Sequence, residues 1–321
     1  MLIFSCFHSK PLLTNIINIM ECLEVSLPNC PVEASIYGYY PSLPANAFLT
    51  AWFAALFIPN VVFGIYYKAW TYMLALGVGC AIEALGYGGR IMLHNNPFSV
   101  SGFQMQICCL ILGPAFNSAA IYLTLKHIAL TFGPEYSLVK PRWYTWIFIC
   151  GDLLSLVLQA IGGGMAATAG DNEDQQNLGT DIMIAGIAWQ VITLLIFGFV
   201  ATLYVLRRRR GLSSGHQFTP IAQATFADIK FKLFAFGIVT AFIAVFLRCV
   251  YRIAEMSGGW ANPIQRDEAS YIAFEGALIA YATMVQTIFH PGYCFPQLTG
   301  RGKALEEKSQ NPAILPEEKS L

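Results

Sequence analysis

Charged residues are scarce in this chain of 321 residues. Asp, Glu, Lys and Arg make up 12% of the sequence, about half the share found in an ordinary soluble domain, and 56% of the residues are hydrophobic. Basic and acidic residues are equal in number, 19 each, so no excess of positive charge points to a nucleic acid. The composition excludes an ordinary soluble domain and is typical of a protein with several membrane spans.

Motifs for metal and nucleotide sites are also absent. The sequence has no CxxC pair and no His/Cys cluster, and no two of its five histidines are spaced i, i+4 on a helix. The run Gly162–Gly164 is not followed by Lys, so close helix packing or a turn explains it better than a phosphate-binding loop. We therefore predict a protein that is not an enzyme and has no cofactor and no metal.

Seven apolar stretches are each long enough to cross a bilayer, which takes about 20 helical residues. They predict an all-α membrane protein, a bundle of seven transmembrane helices. The predicted spans are 47–66, 70–90, 103–125, 144–164, 182–206, 232–253 and 270–290. We expect an extracytoplasmic tail over 1–46, a transmembrane domain over 47–295 and a disordered cytoplasmic tail over 296–321.

The distribution of Lys and Arg predicts the orientation. With the N-terminus outside and the C-terminus in the cytoplasm, 14 basic residues fall on the cytoplasmic side and 5 fall on the outer side or at outer helix ends. Arg207–Arg210, directly after the fifth span, is the strongest cytoplasmic anchor. The loop over 169–181 has no basic residue and fits the outside.

Charged side chains inside the spans point most directly to function, because a charge in a bilayer costs a few kcal/mol. Arg248, Arg252 and Glu255 share one face of the sixth span. At about 1.5 Å per residue, Arg248 lies at the same outer-half depth as Glu83 and Glu275. The sequence does not decide which of these two carboxylates Arg248 meets.

From this shared depth we expect an outward-facing polar cavity that accepts a lipid headgroup or carries protons. A purely structural ion-pair network is the alternative. The cavity is predicted to be lined by Glu83, Arg248 and Glu275, with Arg90, Arg252 and Glu255 at its rim and Glu268 above Glu275.

Polar residues in two other spans add to this picture. In the fourth span, Asp152 and Gln159 either extend the row of polar side chains toward the middle of the membrane or form interhelical hydrogen bonds. In the third span, Pro114 removes one helical hydrogen bond, so we expect a kink there, with Asn117 and Ser118 able to satisfy the freed groups.

Four cysteines, Cys6, Cys22, Cys30 and Cys294, lie in the predicted extramembrane segments or at their border. Cys22 and Cys30 are in the predicted outer tail, where an oxidising compartment permits a disulfide between them. Cys294 follows the last span on the predicted cytoplasmic face, where S-palmitoylation is expected.

Seven sequence motifs in one order resemble the fungal lipid-translocating exporter family, seven-span proteins linked to 7-aminocholesterol resistance. The motifs are YGYYPSLPAN, EALGYGGR, GPAFNSAAIYLTL, GDLLSLVLQAIGGG, RCVYRIAEMSGG, EASYIAFEGAL and HPG. The resemblance covers nearly all of 37–295. The family pattern falls on Glu83, Gly86, Tyr87, Arg90, Asp152, Gln159, Arg248, Tyr251, Arg252, Glu255, Glu268, Tyr271, His290 and Pro291. Glu275 departs from it, because the family has Asp there more often.

The resemblance implies a multi-pass protein of a fungal plasma membrane or internal membrane. Such a protein promotes outward movement of amphipathic lipids, such as sphingoid long-chain bases and sterol-like toxic compounds, and gives resistance to them. Its implied partners are membrane lipids or amphipathic small molecules. The resemblance leaves open whether the protein forms a homo-oligomer. The alternative is a seven-helix lipid sensor that regulates lipid asymmetry or a stress response without transport, although rhodopsin-like signatures such as DRY and NPxxY are absent.

Overall fold

The computed structural model describes residues 32, 35, 37–168, 172–213, 219–258 and 262–295. Every regular element in these ranges is helical, and seven stretches are long and apolar enough to cross a membrane. This confirms the predicted fold class and number of spans. The first six spans are α1 (Leu43–Tyr66), α2 (Trp70–Asn95), α3 (Val100–Phe132), α4 (Pro141–Thr168), α5 (Glu173–Ser213) and α7 (Ile229–Ser257), and the short helix α6 (Pro220–Ala227) precedes α7.

The seventh span is built from three consecutive segments. Helix α8 (Glu268–Tyr271) continues into a π-helical segment (Ile272–Ala277) and then into α9 (Leu278–Ile288). A π-helical turn is wider than an α-helical one and is frequent at functional sites. After α9 comes the short helix α10 (Pro291–Cys294). His290 is its N-cap residue, and His290 Nδ1 accepts a hydrogen bond from the N–H of Gly292 over 3.0 Å.

Helix α5 extends well beyond the predicted span 182–206. It has 41 residues and is therefore about 61 Å long, twice the thickness of the bilayer core. Hydropathy marks only the part of a helix that lies in lipid. Since no proline interrupts the polar residues on either side, the helix continues past both ends of its apolar stretch.

Sequential helices alternate in direction, so each end of the bundle collects the same set of helix ends. We call the end that carries Leu43, Asn95 and Ser257 the upper end. It is the predicted outer side. The lipid-facing surface is apolar, and side chains such as Trp146, Phe199 and Phe236 are more than half exposed there.

Glycines bring the backbones of two helix pairs into direct contact. A Cβ added to Gly89 of α2 would lie 2.9 Å from the carbonyl oxygen of Gly102 in α3. A Cβ added to Gly162 of α4 would lie 2.5 Å from the carbonyl oxygen of Gly179 in α5. Small residues allow such close packing between membrane helices. This confirms the packing interpretation for Gly162, whereas Gly164 has open space around it.

Candidate functional site

Three ion pairs lie inside the upper part of the bundle. Arg248 of α7 pairs with Glu275 of the π-helical segment, and both side chains are almost completely buried. Arg252 pairs with Glu255 within α7 over 2.7 Å. Arg90 of α2 lies 3.5 Å from Glu268 of α8, which is the most exposed partner of the three pairs.

The guanidinium of Arg248 also donates a hydrogen bond to a backbone carbonyl of α3 that lacks its helical donor. Because Pro114 has no N–H, the carbonyl of Leu110 loses its helical donor. Arg248 Nη2 donates to this carbonyl over 2.6 Å while it pairs with Glu275 Oε1. The structure thus selects Glu275, rather than Glu83, as the carboxylate that meets Arg248.

The prediction that Asn117 and Ser118 satisfy the groups freed by the proline is wrong for this carbonyl. The Ser118 hydroxyl donates instead to the Pro114 carbonyl over 3.1 Å. The Asn117 amide donates to the Thr283 hydroxyl of α9 over 3.1 Å. The reason is geometric, since the Leu110 carbonyl is reached by the long side chain of a neighbouring helix.

Arg90 is fully buried rather than at an exposed rim. Its Nε donates to Asn46 Oδ1 over 3.0 Å, and its Nη2 donates to the Tyr39 hydroxyl over 3.2 Å. Its guanidinium lies 4.0 Å from the centre of the Tyr271 ring, a cation–π contact. The segment before α1 contacts Arg90 through Tyr39, and the backbone N–H of Ser42 in this segment donates to Glu268 Oε1 over 2.6 Å.

A small pocket lies beside the Arg252–Glu255 pair. Its volume is about 10 Å³, which is room for about one water molecule. Its lining includes Tyr37, Gln106, Leu110, Arg252, Glu255 and Tyr271.

Tyr37 forms a neutral part of this lining. Its hydroxyl accepts a hydrogen bond from Gln106 Nε2 over 2.7 Å. Burial raises the pKa of Tyr37 to about 12, although the charge of Arg90 acts in the opposite direction. Tyr37 therefore stays protonated at neutral pH. The pocket thus combines one basic group, one acidic group and several neutral polar groups.

Glu83 of α2 is also close to the Arg248–Glu275 pair but makes no ion pair among the described residues. Its side chain is 1% exposed, and Oε1 has no hydrogen-bond partner there. The carboxylate packs directly against Gly113 of α3, where an added Cβ would collide with it. Arg248 and Glu275 are the charges that act on it.

Asp152 and Gln159 of α4 contact other helices. The Tyr122 hydroxyl of α3 donates to Asp152 Oδ2 over 2.9 Å. Gln159 Nε2 donates to Gln190 Oε1 of α5 over 3.4 Å. Both residues therefore take part in interhelical hydrogen bonds that join α4 to its two neighbours.

Several polar residues of the upper end were not predicted as site residues. Tyr37, Tyr39, Asn46 and Gln106 contact the charged groups or line the pocket. The first three lie in the motif YGYYPSLPAN, so their proximity in sequence to the first span was the available signal. Their partners lie on other helices, and a single sequence does not reveal those contacts.

Two predictions on cysteines stay open. Cys22 and Cys30 lie outside the described residues. Cys294 is 5% exposed and lies in an apolar cluster with Phe231, Phe234 and Phe295. Acylation of Cys294 would require local opening of α10.

Comparison with known proteins places the chain in a family. The family model described as RTA1 like protein matches residues 76–298, more than half of the chain. The sphingoid long-chain base transporter RSB1 of Saccharomyces cerevisiae (strain ATCC 204508 / S288c) is 29% identical over 286 residues, which cover 81% of this chain and 75% of the relative. No solved structure matches.

Two further relatives are similar over different lengths. The lipid-translocating exporter-like protein RTA1 of Leptosphaeria maculans is 26% identical over 300 residues, which cover 86% of this chain and 54% of the relative. The protoporphyrin uptake protein 1 of S. cerevisiae is 34% identical over 122 residues, 38% of each chain. The resemblance predicted from the motifs is confirmed, and the chain belongs to the RTA1-like protein family.

Proposed function

We propose that this protein promotes the translocation or efflux of amphipathic lipids, with sphingoid long-chain bases as the main class, and so gives resistance to them. The names of two relatives, a sphingoid long-chain base transporter and a lipid-translocating exporter-like protein, support lipid transport. The proposal places the protein in the plasma membrane, with the upper end outside. An internal membrane is the alternative location, and a fluorescent fusion distinguishes the two.

The observation that carries the proposal is the pocket beside Arg252 and Glu255. A long-chain base has an amine and hydroxyl groups at its head and one apolar tail. A carboxylate suits the amine, while a guanidinium and the Tyr37 hydroxyl suit the hydroxyl groups. The apolar outer surface of the bundle is compatible with the tail.

The residues around the pocket have separate proposed roles. Glu255 and Arg252 bind the headgroup, and the Arg248–Glu275 pair closes the pathway below it through Leu110, which lines the pocket. Arg90 and Glu268 hold the segment before α1 over the upper end. Asp152 and Gln159 keep α4 in register with its neighbours.

A lipid sensor is the second candidate, and the size of the pocket favours it. About 10 Å³ is too small for a lipid headgroup, so the headgroup must widen the pocket as it binds. A protein that binds a lipid in this way can report its presence without moving it.

Reconstitution in liposomes separates the two candidates. Purified protein should increase the movement of a fluorescent long-chain base between leaflets relative to protein-free liposomes. Glu255→Gln should reduce both binding and movement, while Glu135→Gln, a change at the opposite end of the bundle, serves as the matched control. Binding without movement would favour the sensor. Neither binding nor movement would contradict both functions.

A further inference from the structure

Glu83 differs from the three glutamates that lie nearest to the buried arginines. Glu255, Glu268 and Glu275 each have an arginine partner. Glu83 is as buried as Glu275, and its Oε1 has no hydrogen-bond donor among the described residues. An isolated carboxylate in an apolar interior is so costly that the group normally takes up a proton.

The groups around Glu83 do not neutralise it. The residues that face it from its own helix are Cys80 and Tyr87, and Cys109 faces it from α3. Arg248 of α7 is the only cation acting on it among the described residues, but Nη2 of this guanidinium is shared by Glu275 and the Leu110 carbonyl, and its buried Nε has no hydrogen-bond partner and so does not donate to Glu83. Two carboxylates and one guanidinium leave one negative charge in excess.

The space around Glu83 selects the cation that removes this charge. Its carboxylate touches Gly113, and one turn along α2 a Cβ on Gly86 would lie 2.5 Å from the Leu110 side chain. A lipid ammonium group would need space in this close packing, whereas a proton needs no additional space. The headgroup therefore binds at the pocket beside Glu255, which it must widen, and Glu83 takes up only a proton.

Leu110 connects the two places. Its side chain packs against Gly86, one turn along α2 from Glu83, and the same residue lines the pocket. Its carbonyl also holds Arg248 in position. A headgroup that widens the pocket can displace Leu110. This displacement can expose Glu83 to water.

We propose that Glu83 is a proton-binding site coupled to lipid movement. The carboxylic acid is protonated in the closed bundle, and it gives its proton to water when a headgroup opens the pocket. The O–H bond of the acid breaks, the carboxylate keeps the electron pair and water takes the proton; closure reverses the step. The coupling rests on the proposed transport function, whereas the protonated state does not.

Infrared spectroscopy tests the protonated state without any transport. At near-neutral pH, the difference between the wild-type protein and Glu83→Gln should contain the C=O band of a protonated carboxylic acid. The spectrum of Asp152→Asn, which changes another buried acid, should still contain the band assigned to Glu83. A carboxylate band instead, or loss of folded Glu83→Gln protein, would overturn the assignment, because a glutamine amide has nearly the shape of the protonated acid.

Transport measurements test the coupling. The probe is a fluorescent long-chain base with a permanently charged quaternary ammonium, because this headgroup cannot carry a proton by itself. In liposomes containing a pH-sensitive dye, wild-type protein should move the probe several-fold faster under one direction of pH gradient and move protons with it. Glu83→Gln should remove both effects.

The outcomes separate this inference from the proposed function. If wild-type protein moves the probe equally fast with and without a gradient, the coupling is wrong and the lipid transport stands. If Glu83→Gln keeps the gradient dependence, Glu83 is not the site. If wild-type protein moves no lipid under any gradient, the proposed function and its coupling both fail, and the infrared band alone decides the protonated state.

Discussion

Glu275→Gln should destabilise the bundle strongly, although it removes only one charge. The change leaves Arg248 charged and buried without its carboxylate partner. Removing one partner of a buried ion pair costs about 3–5 kcal/mol. Because the glutamine carbonyl oxygen can still accept from Arg248 Nη2, we place the loss at the lower end, about 3 kcal/mol. At about 2–4 °C per kcal/mol for a chain of this size, Tm should fall by about 6–12 °C.

The measurement is thermal unfolding of the purified protein in one detergent, with Glu268→Gln as the matched control. Glu268 carries out the same type of pairing with Arg90, but at 3.5 Å and with a side chain that is 24% exposed. Arg90 is fully buried, but it still donates to Asn46 and Tyr39 after the change. Because Glu268 itself is partly exposed, we expect its pair to contribute about 1 kcal/mol or less. The control should therefore lose less than about 4 °C.

A double variant distinguishes charge from packing. Arg248→Met with Glu275→Leu replaces the pair by apolar side chains, which is often neutral for stability. The Leu110 carbonyl then lacks its donor, which costs about 1–3 kcal/mol. The double variant should thus be at least as stable as Glu275→Gln and still less stable than the wild type.

Two results would refute this reasoning. A Tm of Glu275→Gln within about 2 °C of the control would show that the buried pair does not stabilise the bundle. A double variant clearly less stable than Glu275→Gln would show that the side-chain shapes around the π-helical segment, and not the charges, determine the loss.

Three further predictions use other parts of the chain. A tag after Leu321 should resist protease in intact cells while an N-terminal tag is cleaved, and the opposite pattern would reverse the orientation. Cys22 and Cys30 should escape alkylation until the protein is reduced, and labelling of both without reductant would contradict the disulfide. Gly162→Ala should lower Tm and folded yield because its Cβ meets the α5 backbone, whereas Gly164→Ala should leave both unchanged or slightly raise Tm; equal effects of the two changes would refute the close packing.

The number of spans and the depth of the charged residues could be predicted from the sequence, because hydropathy and helical rise are properties of each segment alone. Which charged residues pair with each other could not be predicted from the sequence. Arg248 had two carboxylates at its depth, and the choice of Glu275 depends on how α7 and the seventh span are rotated against each other. That rotation is set by packing between helices and leaves no periodic signal in one sequence.

The π-helical segment and the role of the Leu110 carbonyl were likewise beyond sequence reasoning. Pro114 predicts one backbone carbonyl without a helical donor, but it does not identify the residue that donates to this carbonyl. Nearby polar residues were therefore expected as donors. The donor comes from a residue 138 positions later in the chain. Only the assembled bundle shows this contact.

The glycine contacts between α2 and α3 and between α4 and α5 have a mechanical consequence. Where the backbones of two helices touch, no side chain lies between them that could change its rotamer, so we expect each of these hairpins to move as one rigid body. Side-chain contacts, by contrast, hold α7 and the seventh span to α2 and α3, including the ion pair of Arg248. If the protein moves lipid as proposed, we expect the lipid to pass through a sideways cleft between these units, with its tail remaining in the bilayer, rather than through a pore along the centre of the molecule.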